Sequence, residues 1–424
     1  MKRGILVAIF AATMALRLDV AAAAEQVVEP SGEVTLRAAI ALVLLGNPEL
    51  QAFSYELRAA EARTLQARLR PNPSAGLDVE DFGGTLGFAD PQLTLSVAQL
   101  VELGGKRRAR IAVAGAEASI AQLDYEAVRL VLLSETQQRF IAGLALQEIE
   151  RLAQETVRIA EETVGIVNQK VRSGVVSPAE ITRAEVELSR ARLDLVVLGE
   201  QIALMRSRLS AMWGSPVASF QSMSGRLDSM IAIPGRDSLL ARAPRSPEVE
   251  RWEAALRARE AEITLARADA TPDLEVLAGY RARLETDDHT FVAGIALPLP
   301  IFARNQGAIA ATKALSASTR ARLADAGLSR RLQIVEAHSV LFQDRTRIDT
   351  LRREVIPGAE RAFTELQLGY QRGRFSYLDL LEARRTWTEA QREEVAALLD
   401  FHQTLAELER LLGGPISENA QGGR

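Results

Sequence analysis

Regular alternation of polar and apolar residues marks a short strand that leads into a very long helix. Residues 92–98 alternate with a period of two, which predicts a strand with one apolar and one polar face. The alternation stops at residues 103–105. From 106 to 171 there is no proline, and the helix formers Ala, Leu, Glu, Gln and Arg dominate. At about 1.5 Å per residue this predicts a rod of about 100 Å, which must lie against other long helices.

Apolar positions along this rod follow a heptad pattern. One stripe runs from Ile149 to Ile166 with alternating spacings of three and four, and Val157, Val164 and Val171 form a second stripe. One stripe suits a two-helix coil, whereas two stripes suit a helix with a neighbour on each side. We therefore expect a wall of helices, because an isolated coiled coil would not explain the strand that feeds the rod.

The second half of the chain repeats the first. The sequence at 47–50 recurs at 246–249, 199 positions later, and 57–59 recurs at 256–258. The same offset relates Pro73 to Pro272, Gly174 to Gly373, Ser177 to Ser376, and Gly214 to Gly413. A constant offset predicts a tandem repeat of two structurally equivalent halves.

Each half is expected to run helix, strand, strand, long helix, turn, helix. The predicted division is a signal peptide at 1–24, a first repeat at 25–213, a linker at 214–245, a second repeat at 246–413 and a polar tail at 414–424. The strands are predicted at 75–82, 92–100, 274–283 and 290–297. The long helix of the second repeat is predicted to run from Gln306 to Gln371.

The N-terminus has the pattern of a secretory signal peptide. Lys2 and Arg3 precede an apolar run at 4–16, and four alanines at 21–24 offer a cleavage site. After this segment the longest apolar run, 38–45, is far too short to span a bilayer as a helix. If the exported protein enters a membrane, it must do so with strands.

The strands have the pattern that a membrane barrel needs. Leu77 and Val79 alternate with Asp78 and Glu80, and the other strands also separate apolar from polar residues. Four strands cannot close a barrel, since about eight is the practical minimum, and open edges are not tolerated in lipid. Two copies would give a barrel filled by side chains, and three a twelve-stranded barrel with an aqueous lumen. We therefore predict a homotrimer, with a small soluble hairpin packed on the helices as the alternative.

Composition excludes several classes of function. The 424 residues include no cysteine, so disulfides, thiol catalysis and thiolate metal sites are excluded. The net charge of −4 is too small to favour a nucleic-acid partner. His289, His338 and His402 have no partner at ligand spacing, and there is no phosphate loop or catalytic triad pattern. We predict no enzyme activity, no cofactor and no selective metal site.

Two strand-to-helix junctions carry a family resemblance. Residues 99–107 and 297–307 resemble the junctions of the TolC-like outer-membrane efflux proteins, in particular the CzcC-type heavy-metal branch. The resemblance spans about 35–413, and its junction residues here are Gly104, Gly105, Pro298 and Pro300. The absence of a lipid-acceptor cysteine departs from many relatives, so anchoring would depend on the barrel alone.

The resemblance implies both an architecture and partners. A mostly α protein with transmembrane β strands would form a trimeric outer-membrane barrel in a Gram-negative bacterium, continued by a periplasmic α-helical barrel. The implied partners are outer-membrane lipid, a periplasmic adaptor and an inner-membrane pump of the resistance-nodulation-division class. The hairpin tips that would contact the adaptor are Arg172, Ser173, Gly174, Val175, Val176, Arg372, Gly373, Arg374 and Phe375.

The second tip also resembles the gate of that family. Tyr370 precedes the turn, and Asp379 and Glu382 follow it, three residues apart on one helix face. Threefold symmetry would give two acidic rings that favour cations and bind a plugging divalent ion. The alternative is an ordinary acidic first turn that complements the helix dipole.

The function implied is a passive conduit that exports heavy-metal cations from the periplasm to the exterior. Drug or small-molecule efflux and type I secretion remain alternatives within the same fold. A soluble periplasmic coiled-coil adaptor or scaffold is the alternative from another class. Adaptors usually carry one helical hairpin, whereas this sequence predicts two hairpins with membrane-length strands.

Overall fold

The computed structural model describes residues 29–80, 92–283 and 287–416. The predicted signal peptide, and the tail after residue 416, lie outside the described residues. The helices are α1 (Leu36–Gly46), α2 (Pro48–Ala67), α3 (Lys106–Arg172), α4 (Pro178–Ser210), α5 (Arg236–Leu240), α6 (Pro247–Ala268), α7 (Gln306–Thr350), α8 (Ile356–Gln371) and α9 (Tyr377–Leu412). The strands are β1 (Glu33–Thr35), β2 (Ser74–Glu80), β3 (Gln92–Val101), β4 (Ser222–Ser224), β5 (Leu274–Arg283) and β6 (Asp288–Ala296).

The long helix α3 has 67 residues and begins and ends where the sequence changes character. It starts after Gly105, which has a left-handed backbone, and ends at Ser173. α4 then begins with Pro178 at its first position, and Ser177 caps it by accepting a hydrogen bond from the Ala179 amide at 3.3 Å. These caps make α3 and α4 an antiparallel hairpin, which α8 and α9 match in the second half.

The rod predicted from Gln306 to Gln371 is helical along its whole length, but it is not α-helical throughout. A π-helical turn at Leu351–Val355 separates α7 from α8. Pro357 follows directly; it lacks an N–H, and in an α-helix its ring would crowd the carbonyl four residues earlier. The wider turn accommodates that proline and offsets the helix by one residue.

The four long strands form one antiparallel sheet in the order β2-β3-β5-β6. The central pair, β3 and β5, joins the two halves, with Leu95 opposite Tyr280 and Ser96 opposite Gly279. A second, parallel pair joins β1 to β4, with Val34 opposite Met223. β4 lies in the predicted linker 214–245, because a three-residue strand carries no detectable period in the sequence.

The three largest apolar clusters among the described residues hold the helices together. One lies in the first half around Phe140, Leu209 and Phe220, and a second in the other half around Ile334 and Phe401. The third cluster lies near the hairpin tips and is built from Ile159, Val167, Ala184, Phe363, Tyr370, Tyr377 and Leu380. Each large side chain that leaves water contributes about 1.5–3 kcal/mol, so this third cluster fixes the two tips against each other.

Within the described part of the chain, no helix combines the length and the apolar character needed to cross a membrane.

Candidate functional site

The two hairpin tips have the same backbone. Gly174 and Gly373 have φ of 72° and 75°, a conformation that glycine adopts without a Cβ penalty. At the first tip the Val175 amide donates to the Lys170 carbonyl at 2.9 Å, and at the second the Arg374 amide donates to the Gly369 carbonyl at 2.8 Å. This is the Schellman arrangement that ends helices. This arrangement makes each tip a tight, rigid turn.

The tip residues are mostly exposed. Arg172, Ser173, Gly174, Arg372, Gly373 and Arg374 are all exposed, and Val176 is half-buried. Val175 is 61% exposed, and Phe375 is 47% exposed. The Phe375 ring lies on Gly369, where any side chain would overlap the ring. Each tip therefore offers arginines and one apolar side chain at the end of its hairpin.

Asp379 and Glu382 lie together, as predicted, on the exposed face of the first turns of α9. They border a shallow groove of about 360 Å³ that also contains Phe375, Leu366 and Thr386. The Asp379 carboxylate accepts from the Ser376 amide at 2.9 Å and from the Ser376 hydroxyl at 2.7 Å. These bonds complete a capping box and lower the pKa of Asp379. Asp379 thus caps its own helix while its charge faces the groove.

Tyr370 lies elsewhere, in the contact between the two hairpins. It is only 2% exposed, and its hydroxyl donates to Oε2 of Glu180 at 3.2 Å. The Lys170 ammonium lies 4.3 Å from the centre of the Tyr370 ring and donates to the Tyr370 backbone carbonyl. Burial, together with the Glu180 carboxylate, raises the pKa of Tyr370, so the phenol stays neutral and remains a donor.

The structure therefore joins Tyr370 to Lys170 and Glu180 rather than to Asp379 and Glu382. Neither Lys170 nor Glu180 was among the residues predicted for the gate. A signal for Glu180 was present, since it stands 199 positions before Asp379 and occupies the same place in the other repeat. Lys170 has no such signal, because its counterpart is Gly369.

A charged network continues the contact between the hairpins away from the tips. The Glu187 carboxylate, on α4, binds Arg384 at 3.3 Å and Arg385 at 2.7 Å, both on α9. The side chains of Glu187 and Arg384 are almost fully buried, and burial lowers the pKa of Arg384. Separating the hairpins would expose this pair and break the Tyr370 contacts together.

The first strand-to-helix junction is closely packed. Gly104 and Gly105 have φ of 68° and 77°, and a Cβ on Gly104 would lie 2.6 Å from the Thr271 side chain. Asp273 accepts from the Leu103 amide at 3.0 Å and pairs with Lys106 at 2.8 Å. This junction fixes α3 to the start of β5 in the other repeat.

The second junction is marked by prolines, whereas the first is marked by Gly104 and Gly105. Pro298 and Pro300 lie in the irregular segment between β6 and α7, where proline prevents strand pairing from continuing. The Arg304 guanidinium donates to the Pro300 carbonyl at 3.2 Å, and Asn305 takes the left-handed conformation before α7. Its amide donates to the Ala266 carbonyl at 2.7 Å, which ties this junction to α6.

In the described ranges, no group of three or more His, Asp or Glu side chains is arranged so that it could hold a metal ion.

The family of the chain follows from its sequence. The model of the family described as outer membrane efflux protein matches residues 39–215 and again residues 240–414. These two matches cover most of the chain, which therefore belongs to the outer membrane efflux protein family. Members of this family are channels of the Gram-negative outer membrane with a periplasmic helical extension, and they are not enzymes.

Individual relatives of this chain are metal-resistance or export proteins. The chain is 32% identical over 389 residues to the cobalt-zinc-cadmium resistance protein CzcC of Cupriavidus metallidurans, covering 91% of each chain. It is 26% identical over 397 residues to the pyoverdine export outer membrane protein OpmQ of Pseudomonas aeruginosa, covering 90% of this chain and 80% of the relative. A crystal structure of CusC superposes with a TM-score of 0.77 at 16% identity, over 92% of this chain and 96% of that one.

These findings confirm the resemblance, the TolC-like fold and the outer-membrane location predicted from the sequence. Channels of this family are trimeric and operate with adaptor and inner-membrane pump partners. The described part of the chain contains a four-stranded sheet and four long helical segments, α3, α4, α7–α8 and α9.

Proposed function

We propose that this chain is the outer-membrane conduit of a tripartite efflux system and that its cargo is heavy-metal cations. The proposed cargo is inferred from the 32% identity, over 91% of both chains, to a protein named for cobalt, zinc and cadmium resistance. The conduit is passive, so the inner-membrane pump drives export.

Growth measurements test the cargo. Deleting this chain from its host should lower the tolerated concentration of Co²⁺, Zn²⁺ or Cd²⁺, and a plasmid copy should restore it. A copy with Val175 and Phe375 both changed to glutamate should assemble but fail to restore tolerance, because both tips would lose their adaptor-binding side chains. Unchanged tolerance to all three metals in the deletion strain contradicts a metal cargo.

Export of an organic molecule is the second candidate, supported by the identity to the pyoverdine exporter OpmQ. In this case the deletion strain would tolerate metals normally and retain a siderophore or drug in the periplasm. The same strain therefore separates the two candidates, through metal growth curves and periplasmic extracts.

The two family matches, 39–215 and 240–414, support the predicted division into repeats at 25–213 and 246–413 joined by the linker 214–245. Limited proteolysis of the trimer should cut first within the linker region outside β4 and α5. Early cleavage inside α3 or α7 would contradict this division.

The homotrimer is supported by apolar residues that the described part of the chain leaves exposed. Val186, Leu193, Val197 and Leu204 are exposed along α4 at spacings of seven and four, the pattern of a helix with a missing neighbour. We assign this stripe to the contact with the next copy. Leu193→Glu should yield monomers by light scattering in detergent, and a stable trimer of this variant would refute the assignment.

The gate is assigned to two sets of residues at the second tip. Tyr370, with Glu180 and Lys170, holds the second hairpin against the first and keeps the periplasmic end closed. Asp379 and Glu382 face the entrance, where three copies give two acidic rings that concentrate cations. Opening would break the Tyr370–Glu180 bond and move α8 and α9 away from α3 and α4.

A further inference from the structure

The Asp, Glu and Arg side chains of β2, β3, β5 and β6 all lie on one face of the four-stranded sheet. The strand register places Asp78, Thr94, Arg281 and Thr290 in one row, and Glu80, Gln92, Arg283 and Asp288 in the next row towards the strand ends. With Glu275 further along β5, this face carries four carboxylates and two guanidinium groups. It is acidic overall.

The opposite face is apolar and exposed. Leu95 is 57% exposed, Ile295 74% and Phe291 91%, although all three are large hydrophobic residues. In contrast, the polar Thr94 and Ser96 are buried. In the fold of this family the apolar face contacts lipid, so the charged face lines the lumen.

Arg281 bridges three strands on the lumen face. Its Nε donates to Oγ1 of Thr94 on β3 at 3.0 Å, and its Nη2 lies 3.2 Å from Oε2 of Glu80 on β2. The Arg281 side chain therefore reaches from β5 across β3 to β2. This contact places its positive charge among the carboxylates near the loop end of the sheet.

The next row towards the helices has only short, uncharged side chains. It contains Gly76, Ser96, Gly279 and Val292, and the backbones pack closely there, since a Cβ on Gly279 would lie 2.9 Å from the Leu95 carbonyl oxygen. Because these residues are small, no long side chain from this row covers the guanidinium group. Arg281 and Glu80 are therefore positioned to meet ions that pass along the lumen.

We propose that Arg281 is the counter-charge that keeps the acidic side chains of the lumen from retaining passing cations. Three copies give a ring of guanidinium groups, each paired with a Glu80 carboxylate. Without that pairing, Glu80 and Asp78 would be free to attract divalent cations at the exit of the conduit. The inference follows from the channel fold and does not depend on the cargo.

Thiol chemistry can test the proposal, since the chain has no cysteine of its own. Arg281→Cys trimers are placed in planar bilayers, and charged methanethiosulfonates are added on the side of the strand loops. The K⁺/Cl⁻ permeability ratio should rise about twofold or more, because lumen charges act within a Debye length of about 8 Å. A trimethylammonium reagent should reverse the change, and a sulfonate reagent should increase it.

Matched variants make the result decisive. Val97→Cys, on the apolar face, should leave the permeability ratio unchanged with either reagent, and Glu80→Gln should lower the ratio. Co²⁺ added from the loop side should block Arg281→Cys at lower concentration than wild type. The measurements are repeated in channels that also carry Asp379→Asn and Glu382→Gln. Removing these charges at the periplasmic entrance ensures that their effect on ion permeation does not hide the effect of Arg281 at the exit.

Two outcomes would overturn the proposal. Failure of Arg281→Cys to react while Val97→Cys reacts would place Arg281 outside the lumen. Reaction without any change in permeability ratio or Co²⁺ block, in both backgrounds, would show that its charge does not act on passing ions.

Discussion

Glu180 and Asp379 occupy the same position in the two repeats, but they bind different partners. Glu180 accepts a hydrogen bond from Tyr370 of the other hairpin, whereas Asp379 accepts from Ser376 and caps its own helix. The difference originates in the helix that precedes each tip, where Tyr370 in the second repeat corresponds to Val171 in the first. A valine offers no donor, so Asp379 has no counterpart of the Tyr370 bond. Duplication thus supplied two like carboxylates, and one aromatic side chain gave them separate roles.

The largest effect is expected from removing the hydrogen bond between Tyr370 and Glu180. Tyr370→Phe keeps the buried ring but removes the hydroxyl, and one such bond contributes about 1 kcal/mol. If three copies open together, about 3 kcal/mol is lost, or ~100-fold in the ratio of open to closed channels. Single-channel recording in planar bilayers measures this ratio.

Two variants control that measurement. Glu180→Gln should open the channel in the same direction, and Tyr55→Phe, an exposed tyrosine on α2, should leave it unchanged. Equal open probability in Tyr370→Phe and wild type would show that the hairpin contact does not hold the gate.

The Asp379 and Glu382 carboxylates should determine how strongly divalent cations block the channel, and not how often the channel is closed. Asp379→Asn with Glu382→Gln removes two charges per copy from the entrance groove, so Co²⁺ added from the periplasmic side should block the current several-fold less strongly. Open probability without Co²⁺ should change little, because the Tyr370 contacts remain. Retained Co²⁺ block would favour the alternative that these residues only complement the helix dipole.

A smaller effect is expected from Lys170. Lys170→Met loses the cation over the Tyr370 ring, which contributes about 0.5–1 kcal/mol per copy. It also loses the hydrogen bond to the Tyr370 carbonyl, which water can replace because Lys170 is only half-buried. Open probability should therefore rise less than in Tyr370→Phe. Lys313→Met, on an exposed part of α7, is the control. A larger effect of Lys170→Met than of Tyr370→Phe would assign the main closing contact to the ammonium group.

The smallest effect concerns the shared backbone of the tips. Gly174→Ala and Gly373→Ala each place a Cβ at positive φ with open space around it, so each should cost about 1 kcal/mol through backbone strain alone. Thermal unfolding of the trimer should show equal shifts for the two variants. Unequal shifts would mean that the tips differ in backbone strain as well as in side chains.

The amino-acid sequence by itself determined the local elements of this protein. Absence of proline and a heptad pattern predicted α3 to within one residue of its end, and Ser177 and Gly174 marked the turn that follows it. Alternation predicted the strands and the side of the sheet that is polar. These features depend on residues close together in the chain, where periodicity and capping act directly.

Tertiary structure alone decided which distant side chains meet. Tyr370 and Glu180 are 190 positions apart, and β1 pairs with β4 across a comparable distance. No local period encodes such contacts, since they depend on how whole hairpins pack through their apolar stripes. The π-helical turn before Pro357 also became visible only in the fold, where the helix continues past a proline because packing on both sides offsets the lost hydrogen bond.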